Sequence, residues 1–215
     1  MSAGTKADGS YDAGQGGFRW RDIYYSRQIL SPNGSVGTPA KSWNNSPLNG
    51  FYHIGTNNIG FAASGVKAWD MSAAGERTLP LQPSFLAFLD SAGSTVNTTT
   101  GATLTGFVNE VFDRGSNFSS SAFTAPVTGL YRFGCKLMVS GSILGAEKIY
   151  ISTTNYTFKS SRMNPNEIRP EIDVLAPMNA GDRASVVYEP SGAGPDILYG
   201  IGSQITSFFC GYLVA

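Results

Sequence analysis

The sequence predicts an all-β protein on three observations. Charged residues make up only 14% of the chain while Gly numbers 26 and Pro 11, a balance that suits short strands and turns rather than salt-bridged helices. Residues 123–139, FTAPVTGLYRFGCKLMV, set Tyr131, Phe133, Cys135, Leu137 and Val139 at alternate positions, with Arg132, Gly134, Lys136 and Met138 between them. That is the period of a strand with one face in a core. Strand-like runs recur from residue 85 onward, with no helical periodicity longer than two turns between them.

Residues 1–17, rich in Gly, Ala, Ser and Asp, form an N-terminal arm expected to be ordered only by what it binds. FRWRDIYYSRQIL (18–30) fits both a strand and a helical face, and its aromatic and β-branched residues favour strand. Between 42 and 76, the turn signals NG, TNN, ASG and SAAG separate apolar runs at 51–54, 59–62 and 66–71, the pattern of a small meander. Residues 18–76 therefore read as a small β-rich segment, and RTLPLQP (77–83), with two prolines, as the linker to a C-terminal head at 84–215.

Within the head, strands are expected at 85–89, 103–112, 122–125, 130–139, 148–152, 156–159, 168–175, 183–188, 196–201 and 204–214. Ten short strands at this spacing suggest a sandwich or jelly roll. Pro126 presets φ for a turn, and Gly129 is read as supplying the positive φ that reverses the chain before the strand at 130. The closing run SFFCGYLVA is apolar on both faces, with Phe209, Gly211 and Leu213 on one and Phe208, Cys210, Tyr212 and Val214 on the other. Such a strand either lies central in a buried sheet or gives one face to a partner subunit, each large apolar side chain contributing about 1.5–3 kcal/mol when fully buried.

Fifteen basic and fifteen acidic residues cancel without a run of like charge, which argues against nucleic acid as a partner. The N-terminus lacks the apolar core of a signal peptide and no stretch is long enough to insert in a membrane, so synthesis and retention in a cytoplasm are expected until assembly. Cys135 and Cys210 are too few for a disulfide framework or zinc site and read as small buried hydrophobes, a disulfide staying open if their strands are neighbours.

Few residues suggest chemistry. His53 stands without the companions of a triad or metal motif. The pairs Glu110/Asp113 and Glu171/Asp173 invite a glycosidase reading, but nothing in the sequence fixes their separation. No enzyme activity, cofactor or metal is expected. Asp182, after Gly181, reads as a turn cap, with calcium as the alternative. Polar loops at 91–101, 158–167 and 189–200 offer Tyr156, Arg162 and Tyr199 as candidates for receptor contact.

Three stretches carry a resemblance. Phe123, Ala125, Pro126, Gly129, Tyr131 and Phe133, then Gly181 and Asp182, then Phe209, Gly211, Tyr212 and Leu213 resemble, in order, the motifs of the complement 1q-type globular head, a relative of the tumour-necrosis-factor jelly roll. The resemblance spans 84–215 and implies a ten-stranded jelly-roll sandwich assembled as a trimer, with the closing strand near the threefold axis. It makes Tyr131, Phe133, Phe208, Phe209, Tyr212 and Leu213 candidates for trimer interface or core. The collagen-like stalk of that family has no counterpart, since no G-X-Y repeat occurs. WRDIYYSRQILSPNG and NGFYHIGTNNIGFAASGVKAWDMSAAGE are similar to pieces of bacteriophage tail-fibre and appendage proteins.

Together the two resemblances imply a homotrimeric virion structural protein, assembled in the host bacterial cytoplasm. Residues 1–76 would join other virion proteins, and the head would meet a glycan or protein of the host surface. The rival readings are a capsid decoration or head-fibre protein with the same trimeric head and, further off, a polysaccharide-degrading enzyme.

Overall fold

The computed structural model describes residues 22, 24, 26, 28–89, 94–96, 101–140, 147–161, 169–190, 196–198 and 205–215. The chain divides into two compact units, Met1–Val66 and Lys67–Ala215. No helix occurs among the described residues.

In the first unit, β1 (Lys41–Trp43), β2 (Ser46–Gly55) and β3 (Asn58–Ala63) form an antiparallel meander. Its turns fall where the sequence places them: Asn57 takes φ 64° between β2 and β3, the left-handed conformation that Asn tolerates. The strand expected over 18–30 is not formed at the described positions 22, 24, 26 and 28–30. Tyr24 and Leu30 stand in solvent, and Phe18, Trp20 and Ile23 lie outside the described residues.

The second unit opens with the hairpin of β4 (Val66–Met71) and β5 (Arg77–Thr78), where Asp70 pairs with Thr78. The strands that follow are β6 (Ser84–Leu89), β7 (Ser94–Val96), β8 (Ala102–Thr103), β9 (Phe107–Arg114), β10 (Phe118–Ser119), β11 (Ala122–Thr124) and β12 (Gly129–Lys136). Next come β13 (Val139–Ser140), β14 (Lys148–Thr153), β15 (Thr157–Ser161), β16 (Glu171–Met178), β17 (Arg183–Glu189), β18 (Asp196–Leu198) and β19 (Phe208–Leu213). One sheet runs β16-β12-β19-β6-β9, and the other β10-β11-β17-β14-β15 with β8 beside β17. These antiparallel sheets, of five and six strands, form a jelly-roll sandwich of the all-β class the sequence predicts; the count exceeds the expected ten because β8 and β10 are short additions to the second sheet. A small third sheet, β13-β18-β7, completes the unit.

Two expected strands are divided. The run at 103–112 splits because Leu104 N still donates to Val186 O in one sheet, whereas β9 pairs with β6 in the other. The run at 130–139 ends at Lys136, after which Met138 N donates to Ser207 Oγ and β13 joins the small sheet.

The core lies between the two large sheets. Along β12, Tyr131, Phe133 and Cys135 point inward; Ile149 and Ile151 on β14 and Ala184, Val186 and Tyr188 on β17 meet them from the opposite sheet. Phe85 organises the aromatic centre, stacking on Phe118 at 4.6 Å and Phe123 at 5.2 Å and meeting Phe209 edge-on at 5.0 Å. Offset and edge-to-face pairs of this kind add about 0.5–1.5 kcal/mol each beyond their buried area.

The corner at 125–129 joins distant parts of the chain. Ala125 N donates to Asp182 O and Gly181 N donates back to Ala125 O, both at 2.8 Å, while the Tyr131 hydroxyl donates to Val127 O at 2.7 Å. Gly129 does not take the expected positive φ; among the glycines of these motifs only Gly181 does, at 90°. Gly129 is required for space instead, because a β-carbon there would lie 2.6 Å from the carbonyl oxygen of Ala215 and 2.7 Å from Leu213 Cδ1.

Candidate self-association surface

The outer face of the β16-β12-β19-β6-β9 sheet presents three rows of side chains, aligned by the strand register. The first runs Leu175, Arg132, Tyr212, Ser84, Arg114; the second Asp173, Gly134, Cys210, Leu86, Phe112; the third Glu171, Lys136, Phe208, Phe88, Asn109. Charge sits on the β16 and β12 side and at Arg114 on the end of β9, and an apolar field of Phe208, Cys210, Tyr212, Leu86, Phe88 and Phe112 fills the rest of the β19, β6 and β9 side. Tyr212 is 42% exposed and Phe112 44%, and at the bulged edge strand Val108 and Val111 are more exposed still.

Polar contacts fix the margin of this field. Arg132 Nε donates to Asp173 Oδ1 at 3.0 Å and Oδ2 at 3.1 Å, and its Nη1 donates to the Tyr212 hydroxyl at 3.3 Å. Asp173, and after it Tyr212, hold the guanidinium above its usual range. Exposed pairs of this kind add little stability, so their role is to orient Tyr212. Lys136 lies 3.8 Å from Glu171 along the same margin.

The six residues named from sequence as interface or core separate cleanly. Tyr131, Phe133 and Phe209 are fully buried between the sheets, and Leu213 packs against that core half-buried. Phe208, half-buried, and Tyr212 face outward. Cys135 and Cys210 are both free; they lie on neighbouring strands but face opposite ways, which leaves no bridge between them. Burial raises both thiols, Cys135 the more. Cys210 is therefore part of the outer field and not of the core, a placement that alternation along β19 already encodes.

Of the receptor candidates, Tyr156 is exposed, its ring centroid 6.2 Å from that of Phe158; Arg162 and Tyr199 lie outside the described residues. The carboxylate pairs have other occupations. Asp113 caps the following turn through the backbone N–H groups of Asn117 and Phe118, and Glu171 and Asp173 face Lys136 and Arg132. Asp182 Oδ2 accepts from Asn155 Nδ2 and Asn179 N, each at 2.8 Å, as a turn cap does. His53 Nδ1 is buried without a hydrogen-bond partner. Among the described residues no three of His, Cys, Asp and Glu gather as metal ligands would. Sequence reasoning missed one polar network, Lys148, Tyr150 and Glu189 on the outer face of the second sheet, because its members are 39 or more residues apart except for the first two.

The strand order and the two-faced sheet define a jelly-roll head. Solved structures to which the chain is similar include the globular domain of zebrafish complement 1qA, 19% identical, covering 62% of this chain and 98% of its own, with a TM-score of 0.47. Murine APRIL is 10% identical over 62% of this chain and 99% of its own, TM-score 0.44; Eiger TNF from S. frugiperda is 11% identical over 62% and 94%, TM-score 0.43. No protein-family model and no curated protein sequence matches the chain.

Proposed function

We propose that this chain is a homotrimeric structural protein of a bacteriophage particle, a tail fibre or appendage whose jelly-roll head adheres to the host surface. The apolar field on the outer sheet face carries the proposal. Phe208, Tyr212 and Phe112 lie together on one rigid face, and each contributes about 1.5–3 kcal/mol if a neighbouring copy covers it fully. Three heads held in this way present each surface loop three times, and weak contacts then gain strength through effective concentration. The attachment role of residues 1–76 rests on their likeness to fibre segments.

The test is light scattering on the purified full chain together with immunogold labelling of phage particles. A mass three times that of the chain and label at the tail support the reading. A monomer, or label confined to the capsid, overturns the trimer or the tail position respectively.

A further inference from the structure

The β1–β2 hairpin carries a hollow of about 610 Å³, within the size range of small-ligand pockets. Trp43, Asn44, Asn45, Ser46, Asn49 and Phe61 line it, all inside the first unit. No charged side chain takes part. A register shift between Ser42 and Trp43 sets Trp43 opposite Ser46, and such bulges re-aim side chains. The indole is 54% exposed, yet it is braced: Phe61 meets it edge-on at 6.3 Å, and Phe51 meets Phe61 at 5.2 Å.

The amides are arranged around that ring. Asn49 Oδ1 is fixed by the backbone N–H of Ser64, which orients its Nδ2. Asn44 Nδ2 donates to Asn45 Oδ1 at 3.4 Å, a long contact that leaves Asn44 Oδ1 and Asn45 Nδ2 without hydrogen bonds among the described residues. An exposed aromatic face ringed by side-chain amides and a hydroxyl matches a ligand that is apolar on one face and dense in hydroxyls at its edge. A pyranose ring has that character: its C–H face packs on the indole, while Asn44 Oδ1 accepts from one hydroxyl and the Nδ2 groups of Asn45 and Asn49 donate to others.

From this geometry we infer that the Trp43 hollow is a binding site for a neutral saccharide. The absence of a charged lining residue excludes acidic sugars as the favoured class, since no cation is present to match a carboxylate. The site stands independently of the head, and holds whether or not the head trimerises.

The test uses the full chain and four neutral probes: methyl β-glucoside, methyl β-galactoside, N-acetylglucosamine and lactose. Binding is read by tryptophan fluorescence and by saturation-transfer NMR. At least one probe is expected to give a saturable shift that Trp43→Ala abolishes and Asn45→Ala weakens about tenfold, as loss of a ligand hydrogen bond does. Asn45 lies in an exposed turn, so its variant keeps the test valid if Trp43→Ala fails to fold. Silence with all four probes overturns the inference, as does a shift that persists in a folded Trp43→Ala variant. Silence with sugars combined with loss of Trp43→Ala protein from assembled particles would assign the face to a protein partner instead.

Discussion

The ring of Phe133 occupies the space in which a side chain at Gly211 would begin: a β-carbon there would lie 2.5 Å from Phe133 Cδ1 and 2.9 Å from Phe85 Cε1. The two residues are direct partners across β12 and β19, so the aromatic centre of the head requires a bare backbone opposite Phe133. Gly211→Ala therefore overpacks the core, and a loss of about 1–3 kcal/mol is expected by chemical denaturation. Gly181→Ala is the comparison, because only backbone conformation resists it: φ is 90° and nothing lies within 4 Å. A smaller loss at Gly211 than at Gly181 would show that the ring yields.

Tyr131→Phe keeps the packing of a fully buried ring and removes its hydrogen bond to Val127 O. The expected cost is about 0.5–1.5 kcal/mol, together with faster hydrogen exchange at Ala125 and Gly181, whose N–H groups close the same corner. Unchanged exchange at both amides would mean that the corner holds without the hydroxyl.

Tyr212→Asp places charge in the outer apolar field while leaving the core untouched. Tyr212 is exposed in the single chain, so the variant is expected to fold as a monomer where the parent is proposed to form a trimer, read by light scattering. Phe209→Ala, one residue position inside the sandwich, is expected instead to lose about 3–5 kcal/mol of folding stability. A Tyr212→Asp protein that remains trimeric would place the interface elsewhere.

Much of the head was legible because its strands are half-buried and obey the two-residue period; the inward set on β12 and the two faces of β19 follow from alternation alone. What local reading could not supply were facts set by pairing. The breaks at 104–106 and 137–138 occur where the chain changes sheet, and the apolar pattern continues unbroken through both. Gly129 shows the same limit from another side: the sequence marks a glycine at a corner, but its reason is the approach of Ala215, more than eighty residues on. The Trp43 hollow was equally hidden, since Phe61 and Ala63 reach it from β3 and a register shift in β1 sets Trp43 opposite Ser46.

Asp182 is expected to act as a cap and not as a calcium ligand. Its Oδ2 is engaged by Asn155 and Asn179, and calcium takes six to eight oxygens, which no gathering of carboxylates among the described residues supplies. Addition of a chelator should leave the melting temperature unchanged, and Asp182→Ala should cost about 1 kcal/mol, the usual net value of such bonds. A fall in melting temperature on chelation would restore the calcium reading.

Glu189 accepts hydrogen bonds from Lys148 Nζ and the Tyr150 hydroxyl, and Lys159 Nζ lies 5.6 Å from the centre of the Tyr150 ring. Lys148, and then Tyr150, hold the Glu189 carboxyl below the ordinary glutamate range, whereas the bond to Glu189 is the main cause of a Tyr150 phenol pushed up to about 12. The signs are opposite. A depressed carboxylate stabilises the fold at neutral pH and loses that contribution as pH falls through its folded-state pKa, below the reference value of 4.5. A raised phenol stabilises it below the reference value of 10.0, and that contribution is lost as pH rises through about 12. Glu189→Gln should therefore flatten the acid limb of the stability profile. In an ultraviolet titration, the difference between variant and parent should show one tyrosine moving from about 12 toward 10.0. Superimposable titrations would mean that Tyr150 does not donate to Glu189 in solution; a shift without change in the acid limb would confine the coupling to the phenol, with Lys148 too well solvated to contribute.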